Sequence, residues 1–178
     1  RRHAPRDPAV PAWEDLPADS RALFARHMEV YAAMLDCVDQ NVGRFMAQLT
    51  ELGELDDTII VFASDNGGTG AGGANGEVFS GRRFAGTDSS KVAVDFARLE
   101  WIGTDRAAPL YPTGWGQLSN TPFPSYKTYT GGGGRRVSLI LSWPANISRN
   151  GQILKEFAHV TDIMPTLLDL AGVAALET

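Results

Sequence analysis

Apolar residues repeat at helical spacing over the first third of the chain. From about Ala18 to Leu52 they recur every three or four residues, which places them on one face of a continuous helix. Gly53 follows, at a position typical of a helix C-terminus. We interpret the stripe as the face of a helix that lies on a sheet, in preference to a coiled coil. The stripe consists of Phe24, Met28, Tyr31, Leu35, Val38, Val42, Phe45, Leu49 and Leu52.

Two short runs are rich in β-branched and other apolar residues and lack the polar alternation of a half-exposed strand. They span residues 58–63 and 137–142. Because strands covered on both faces of a parallel sheet have continuous apolar sequences, both runs are predicted to be buried strands of such a sheet. A last helix is predicted from near Asp162 to Gly172. The expected fold class is therefore α/β, with a mostly parallel sheet flanked by helices.

The remaining segments are irregular. Residues 1–17 are rich in proline, alanine and charge and are predicted to be a connector. Residues 67–124 show only one short helical pattern, within residues 91–99. Irregular segments of this length in compact domains are usually functional, so we expect an active-site loop or insertion here. Its aromatic residues favour packing over disorder, and they are Trp101, Tyr111, Trp115 and Phe123.

Composition narrows the possible functions. The chain has 178 residues, enough for one domain or part of one, and its net charge of −5 gives no reason to expect nucleic acid as a partner. No apolar run is long enough to span a membrane. Cys37 is the only cysteine, which rules out an internal disulfide.

The chain begins with Arg1 and not Met, so we expect the true N-terminus and any targeting segment to lie outside it. The compartment stays open between cytoplasmic and periplasmic or secreted.

Asp65 and Asn66 stand at the carboxyl end of the first predicted strand and are followed by a glycine-rich loop. Ligands bind at this edge of open α/β sheets, and Ca²⁺ and Mg²⁺ prefer oxygen ligands. The alternative is a strand-end turn in which the two side chains accept hydrogen bonds from backbone N–H groups. From residue type and position, the metal site and the turn are equally well supported.

Three further features could carry chemistry. Lys127 could neutralise charge on an anion, although a solvated surface lysine is the default interpretation. The run Gly131–Gly134 lacks the Lys-Ser/Thr ending of a phosphate-binding loop. We interpret it as backbone freedom beside a crowded site, or as a flexible bend. His159 and Asp162 are interpreted as a structural cap and not as an acid–base pair, because no nucleophile accompanies them.

Four blocks of the sequence, taken together, resemble the sulfatase family of the alkaline-phosphatase-like superfamily, and most closely the bacterial-type arylsulfatases. One block ends in Ser-Asp-Asn-Gly and another contains Asn-Thr-Pro-Phe followed by Tyr-Lys. They occur in the family's order and extend over nearly the whole chain. The four blocks are residues 27–44, 58–67, 114–127 and 142–168.

The resemblance implies a role for each matching residue. Asp65 and Asn66 match the family's late pair of calcium ligands, and Lys127 matches the lysine that contacts the sulfate of the substrate. The family hydrolyses sulfate esters with a formylglycine made from the Cys or Ser of a Cys/Ser-x-Pro-x-Arg motif. Cys37 does not lie in such a motif. The early Asp-Asp ligands and the catalytic histidine are absent as well.

We therefore expect residues 1–178 to be the C-terminal part of an arylsulfatase-type catalytic domain with an incomplete alkaline-phosphatase-like fold. Its partners would be a small-molecule sulfate ester and the missing N-terminal half of the domain. Ca²⁺ is expected as cofactor in preference to Mg²⁺, and formylglycine is expected in the missing part. The alternatives are a phosphodiesterase or phosphonate hydrolase of the same superfamily, and a non-catalytic remnant. Two departures from the family pattern affect the Lys127 loop, namely Pro124-Ser125 and Arg135–Ser138.

Overall fold

A computed structural model describes residues 3–80, 92–148 and 151–173. The chain divides into two compact units, Arg1–Ala145 and Asn146–Thr178. The described residues of the first unit form two 3₁₀ turns, four α-helices and two strands. In chain order these are the turn Trp13–Asp15, α1 (Ala18–Glu51), β1 (Ile60–Ala63), α2 (Val92–Phe96), the turn Leu99–Trp101, α3 (Thr113–Ser119), α4 (Gly132–Arg135) and β2 (Leu139–Ser142).

The long helix is confirmed, and its N-terminal half forms the core of the first unit. Leu23 and Phe24 of α1 are buried against Val78 and Ile102 of the irregular segment. The indole Nε1 of Trp115 donates to the Phe24 carbonyl at 2.7 Å. These contacts fix the irregular segment on the first turns of α1.

His27 lies one turn further along α1 and is also buried. Its Nε2 makes no hydrogen bond within the described part of the chain. Burial disfavours the charged imidazolium, and it lowers the pKa of His27 to about 4. The side chain is therefore neutral at neutral pH and behaves as part of the core.

The C-terminal half of α1 differs from its N-terminal half. Leu35 is 52% exposed, Val38 is 45% exposed and Phe45 is 55% exposed. The predicted packing of the whole stripe on a sheet is therefore not found in this half of the helix, as far as the described residues show. A contiguous apolar face of this kind marks a surface that can be covered by other protein.

Both predicted strands are confirmed in position, as β1 and β2. They pair with each other in antiparallel register, with Ile60 opposite Ser142 and Ala63 opposite Leu139. The mostly parallel sheet is thus not confirmed by the two strands that the structure describes. An apolar run indicates that a strand can be covered, but the direction of its neighbour depends on the path of the chain.

The predicted burial of the strands on both faces is wrong for this chain. Phe62 of β1 is 43% exposed and Ile140 of β2 is 56% exposed. A two-stranded sheet buries little surface by itself and needs further strands or helices to cover its apolar side chains. The sheet of the described residues consists of these two strands, and both leave large apolar side chains exposed.

The described parts of the irregular segment, residues 67–80 and 92–124, are packed, as its aromatic residues predicted. Trp101 contacts Phe79 with ring centroids 5.9 Å apart, and Tyr111 contacts Tyr31 at 5.3 Å. The short helix predicted within residues 91–99 is found as α2, although residue 91 itself lies outside the described residues. The connector is anchored by Trp13, whose ring lies 5.4 Å from that of Trp115.

The second unit contains a 3₁₀ turn, Val160–Asp162, that runs into α5 (Ile163–Leu170). The His159 N–H donates to Asp162 Oδ2 at 2.7 Å, and the Thr161 N–H donates to His159 Nδ1 at 3.4 Å. This reciprocal arrangement is a capping box, so the structural interpretation of the pair is confirmed. Across both units, none of the described helices has the length and apolar character needed to cross a bilayer.

Candidate functional site

The Asp65–Asn66 pair directly follows β1, at the start of the glycine-rich loop. Two hydrogen bonds shape this turn, and neither involves the Asp65 carboxylate. Ser64 Oγ donates to the Asn66 carbonyl at 2.8 Å, and Asn66 Nδ2 donates to the Gly67 carbonyl at 3.0 Å. The Asp65 carboxylate is exposed and makes no hydrogen bond or ion pair with the described residues. Asp65 therefore does not act as the turn-forming acceptor that the alternative interpretation required.

The tetraglycine run lies directly against this loop. The Gly67 N–H donates to the Gly134 carbonyl at 3.1 Å, and a Cβ placed on Gly67 would overlap the carbonyl oxygen of Gly133. The run is not a flexible bend, since residues 132–135 form the helical turn α4. The close contacts show the crowding that the other interpretation expected. None of the four glycines has a positive φ, so they supply space for neighbouring backbone and not unusual dihedral angles.

Lys127 is carried by the segment on the other side of the tetraglycine run. Cβ atoms on Gly133 and Gly134 would overlap the backbone of Ser125 and Tyr129, so this segment wraps closely around the run. The Lys127 N–H donates to the Gly68 carbonyl at 3.0 Å. The structure thus ties the backbone of Lys127 to the loop that begins with Asp65.

The Lys127 side chain itself is exposed and forms no ion pair with the residues that the structure describes. Its ammonium is therefore solvated in this chain, as the default interpretation states. No buried partner within the described residues fixes it in place. The group is available to an anion that approaches the same two loops.

The backbone on each side of Lys127 is unusual. Ser125 has a φ of 71° and Thr128 a φ of 79°, values that residues with a Cβ seldom adopt. For β-branched Thr128 this conformation is a clear outlier. Such conformations cost roughly 1–3 kcal/mol each and cluster at functional sites, where surrounding contacts enforce them.

One enforcing contact comes from Tyr126. Its ring is buried and its hydroxyl donates to Asp7 Oδ2 at 3.1 Å. Burial, with the nearby Asp7 carboxylate as a second cause, raises the pKa of Tyr126 to about 12. The hydroxyl therefore stays protonated and continues to donate to Asp7 at all ordinary pH values.

A second contact comes from Asn120, which follows α3 and is 8% exposed. Its Oδ1 accepts from the Gly68 N–H at 2.7 Å, and its Nδ2 donates to the carbonyls of Gly68 at 3.1 Å and Ser125 at 3.0 Å. Sequence reasoning missed the role of Asn120 and of Asp7. Asn120 begins the Asn-Thr-Pro-Phe motif of the family resemblance, but that motif does not identify its partner. Gly68 lies 52 residues from Asn120 and Asp7 lies 119 residues from Tyr126, so no local pattern predicts either contact.

The donor set suits a hard cation but does not complete a site. Asp65 offers an uncommitted carboxylate, and the amide oxygen of Asn66 makes no hydrogen bond within the described residues. Ca²⁺ takes roughly 6–8 oxygen ligands. Within residues 3–80, 92–148 and 151–173, no group of three or more His, Cys, Asp or Glu side chains could hold a metal ion.

The sulfatase family model matches residues 3–173 of this chain. An uncharacterized sulfatase of Schizosaccharomyces pombe is 35% identical over 162 residues, which cover 91% of this chain and 28% of that protein. An arylsulfatase of Klebsiella aerogenes is 31% identical over 162 residues, covering 90% of this chain and 33% of the relative. Arylsulfatase J of Mus musculus is 29% identical over 152 residues, which cover 85% of this chain and 18% of that protein.

These matches confirm the resemblance seen in the four sequence blocks. They also agree with the α/β, alkaline-phosphatase-like class to which sulfatases belong. The chain spans about a third or less of the length of these curated relatives. Matched over nearly its whole length, the chain belongs to the sulfatase family.

Proposed function

We propose that the chain is the C-terminal part of the catalytic domain of an arylsulfatase-type sulfuric ester hydrolase. It would supply two calcium ligands, Asp65 and Asn66, and a sulfate-contacting lysine, Lys127. The observation that supports this proposal is the 3.0 Å hydrogen bond from the Lys127 N–H to the Gly68 carbonyl, which joins the Lys127 segment to the loop that begins with Asp65. Family membership and the arylsulfatase relatives supply the reaction class.

Asp65 and Asn66 would hold the cation. The Asp65 carboxylate can bind a cation without losing a hydrogen bond to any described residue, and Asn66 Nδ2 already fixes the orientation of its amide. Ca²⁺ fits better than Mg²⁺, because ligands drawn from separate segments suit its larger and more flexible coordination shell. Bound there, Ca²⁺ would supply electrophilic polarisation of a sulfate oxygen.

Lys127 would act on the sulfate group of the substrate. A lysine ammonium is a compact point charge, and it stabilises negative charge on the oxygens of a sulfuryl group as that group is transferred. The side chain is exposed and has no partner among the described residues to release before it binds an anion. Its backbone is held by Gly68, so only the side chain has to be ordered when substrate binds.

The remaining machinery would come from sulfatase sequence outside this chain. This part would hold the formylglycine nucleophile, the other calcium ligands and the catalytic histidine. Cys37 is not a candidate for that nucleophile, because it lies in the middle of α1 and outside the required motif. The exposed apolar side chains of β1, β2 and the C-terminal half of α1 offer the surface on which such a part would pack.

The proposal is tested by two substitutions in the full-length protein. Asp65→Ala and Lys127→Ala are each expected to lower kcat/KM for a chromogenic aryl sulfate by about 100-fold or more, since each removes charge at the reacting group. Asp57→Ala and Lys155→Ala are the matched controls, because both side chains are exposed and neither residue is one of the proposed site residues. Wild-type rates in both test variants would contradict the assignment.

The same preparations separate the alternatives. An arylsulfatase turns over aryl sulfate faster than an aryl phosphodiester, whereas a phosphodiesterase or phosphonate hydrolase of this superfamily shows the opposite preference. A full-length protein that binds Ca²⁺ and is folded, but hydrolyses neither ester, would be a non-catalytic remnant.

A further inference from the structure

Asn120 stands between the two loops of the proposed site. Its buried side-chain amide uses its oxygen and both N–H groups in hydrogen bonds to backbone. Oδ1 and one Nδ2–H form a reciprocal pair with the N–H and C=O of Gly68. The other Nδ2–H donates to Ser125. One side chain thereby pairs with backbone groups of both loops.

The two backbone partners are adjacent to the proposed functional residues. Gly68 lies two residues after Asn66, and Ser125 lies two residues before Lys127. The Gly68 carbonyl accepts from both Asn120 Nδ2 and the Lys127 N–H. Asn120 therefore contacts both loops at the points where they approach each other.

The element behind Asn120 is itself fixed to the same loop. The single O–H of Thr113, at the start of α3, is shared between the carbonyls of Gly70 at 3.1 Å and Gly73 at 2.9 Å. A Cβ on Gly116 in the middle of α3 would overlap the Thr69 carbonyl. The helix lies directly on the loop that follows Asp65, so the position of Asn120 relative to that loop is well defined.

We propose that Asn120 is a positioning residue for sulfate ester hydrolysis, which fixes the separation between the cation-binding pair Asp65–Asn66 and Lys127. This inference rests on the proposed function. Asn120 does not contact the substrate. It acts through Gly68 on one side and through Ser125 on the other.

The conformation of Ser125 gives the physical reason for a side chain here. With a φ of 71°, Ser125 is in a region that favours glycine, and its carbonyl is held in place by Asn120 Nδ2. When that donor is lost, the segment around Ser125 can relax toward ordinary dihedral angles. Lys127 would then move relative to Asp65, and small displacements of a charged group at a reacting centre cost rate.

The test is a double-mutant cycle in the full-length protein. Asn120→Asp has nearly the same shape and keeps an acceptor for the Gly68 N–H, but it removes both donors. We expect it to lower kcat for a chromogenic aryl sulfate by about 10- to 100-fold with little change in KM. In a Lys127→Met background, the same substitution is expected to lower the remaining kcat by less than about threefold, because the residue that it positions is gone.

Asn41→Asp is the matched control. Asn41 is exposed on α1, and its Nδ2 donates to a backbone carbonyl, that of Cys37, at 2.7 Å. This variant is expected to keep the kcat of its parent protein in both backgrounds. If Asn120→Asp does not fold at the assay temperature, Asn120→Ser adds no charge and carries the same comparison.

An equal loss of kcat from the Asn120 substitution in the wild-type and Lys127→Met backgrounds, or no loss in either, would overturn the positioning role. Failure of the underlying function gives a different result, in which Lys127→Met by itself retains wild-type kcat. The two failures are therefore distinguishable within one set of four proteins.

Discussion

Glycine at position 67 allows two loops to lie closer together than any side chain would permit. Its N–H bonds to Gly134, and the space that a Cβ would need is taken by the carbonyl of Gly133. The crowding reaches Lys127 as well, because the Lys127 segment wraps around the same tetraglycine run. At the scale of single residues, the two loops of the proposed site are held together by backbone contacts, and the Asn120 side chain links them.

Replacement of Gly67 by alanine tests this crowding. Gly67→Ala must displace the tetraglycine run, so we expect it to destabilise the full-length protein by about 2 kcal/mol and to lower sulfatase activity. Gly43→Ala is the control, because this glycine lies on α1 with nothing within 4 Å of its Cβ position. Removing a helical glycine there should stabilise the protein by about 0.5–1 kcal/mol. Thermal denaturation that gives equal shifts for the two variants would contradict the packing described above.

Single residues also show where prediction from sequence stops. Asp65, Asn66 and Lys127 could be proposed as site residues because they belong to short motifs that resemble a known family. The hydrogen bonds from Asn120 to Gly68 and from Tyr126 to Asp7 could not be predicted in this way. Both join residues far apart in the chain, and neither changes the local pattern of apolar and polar positions.

At the scale of elements, α1 has two parts with different surroundings. Its first turns are buried in the core of the first unit, while apolar side chains of its later turns are exposed. The periodicity of the sequence predicted the helix and its apolar face correctly, because both follow from local spacing. It could not predict which part of that face is covered within these 178 residues, because burial depends on other segments of the protein and not on the spacing of residues in the helix.

The exposed face of α1 yields a prediction for the full-length protein. If the rest of a sulfatase domain packs on this face, Phe45→Glu would bury a charge and is expected to destabilise the protein by about 2–4 kcal/mol. Gln48→Glu, at another exposed position of the same helix, is the control and should change stability by less than about 0.5 kcal/mol. Chemical denaturation measures both. Equal stability of the two variants would show that the face stays in solvent.

For the strands, as for the helix, position was predictable from the sequence and burial was not. Their positions were predicted from apolar β-branched runs, which are a local property. Their antiparallel pairing and their exposure were not, because both depend on which other segments lie beside β1 and β2. For the same reason, sequence patterns predicted the α/β class more securely than the layout of the sheet.

At the scale of the whole molecule, family membership and the partial site have to be considered together. The chain matches the sulfatase family over nearly its full length but spans about a third or less of its curated relatives. Two oxygen ligands and one lysine are too few to hold a cation and a sulfate ester by themselves. The proposed function therefore assigns to this chain one side of an active site whose other side lies elsewhere in the domain.

A crystal structure of the full-length protein with Ca²⁺ and sulfate tests this central claim most directly. We expect oxygens of Asp65 and Asn66 at about 2.3–2.6 Å from the ion, which anomalous scattering identifies. Lys127 Nζ should lie within about 3 Å of a sulfate oxygen bound beside that ion. A calcium ion held without Asp65 and Asn66, or a bound sulfate that Lys127 does not contact, would contradict the account.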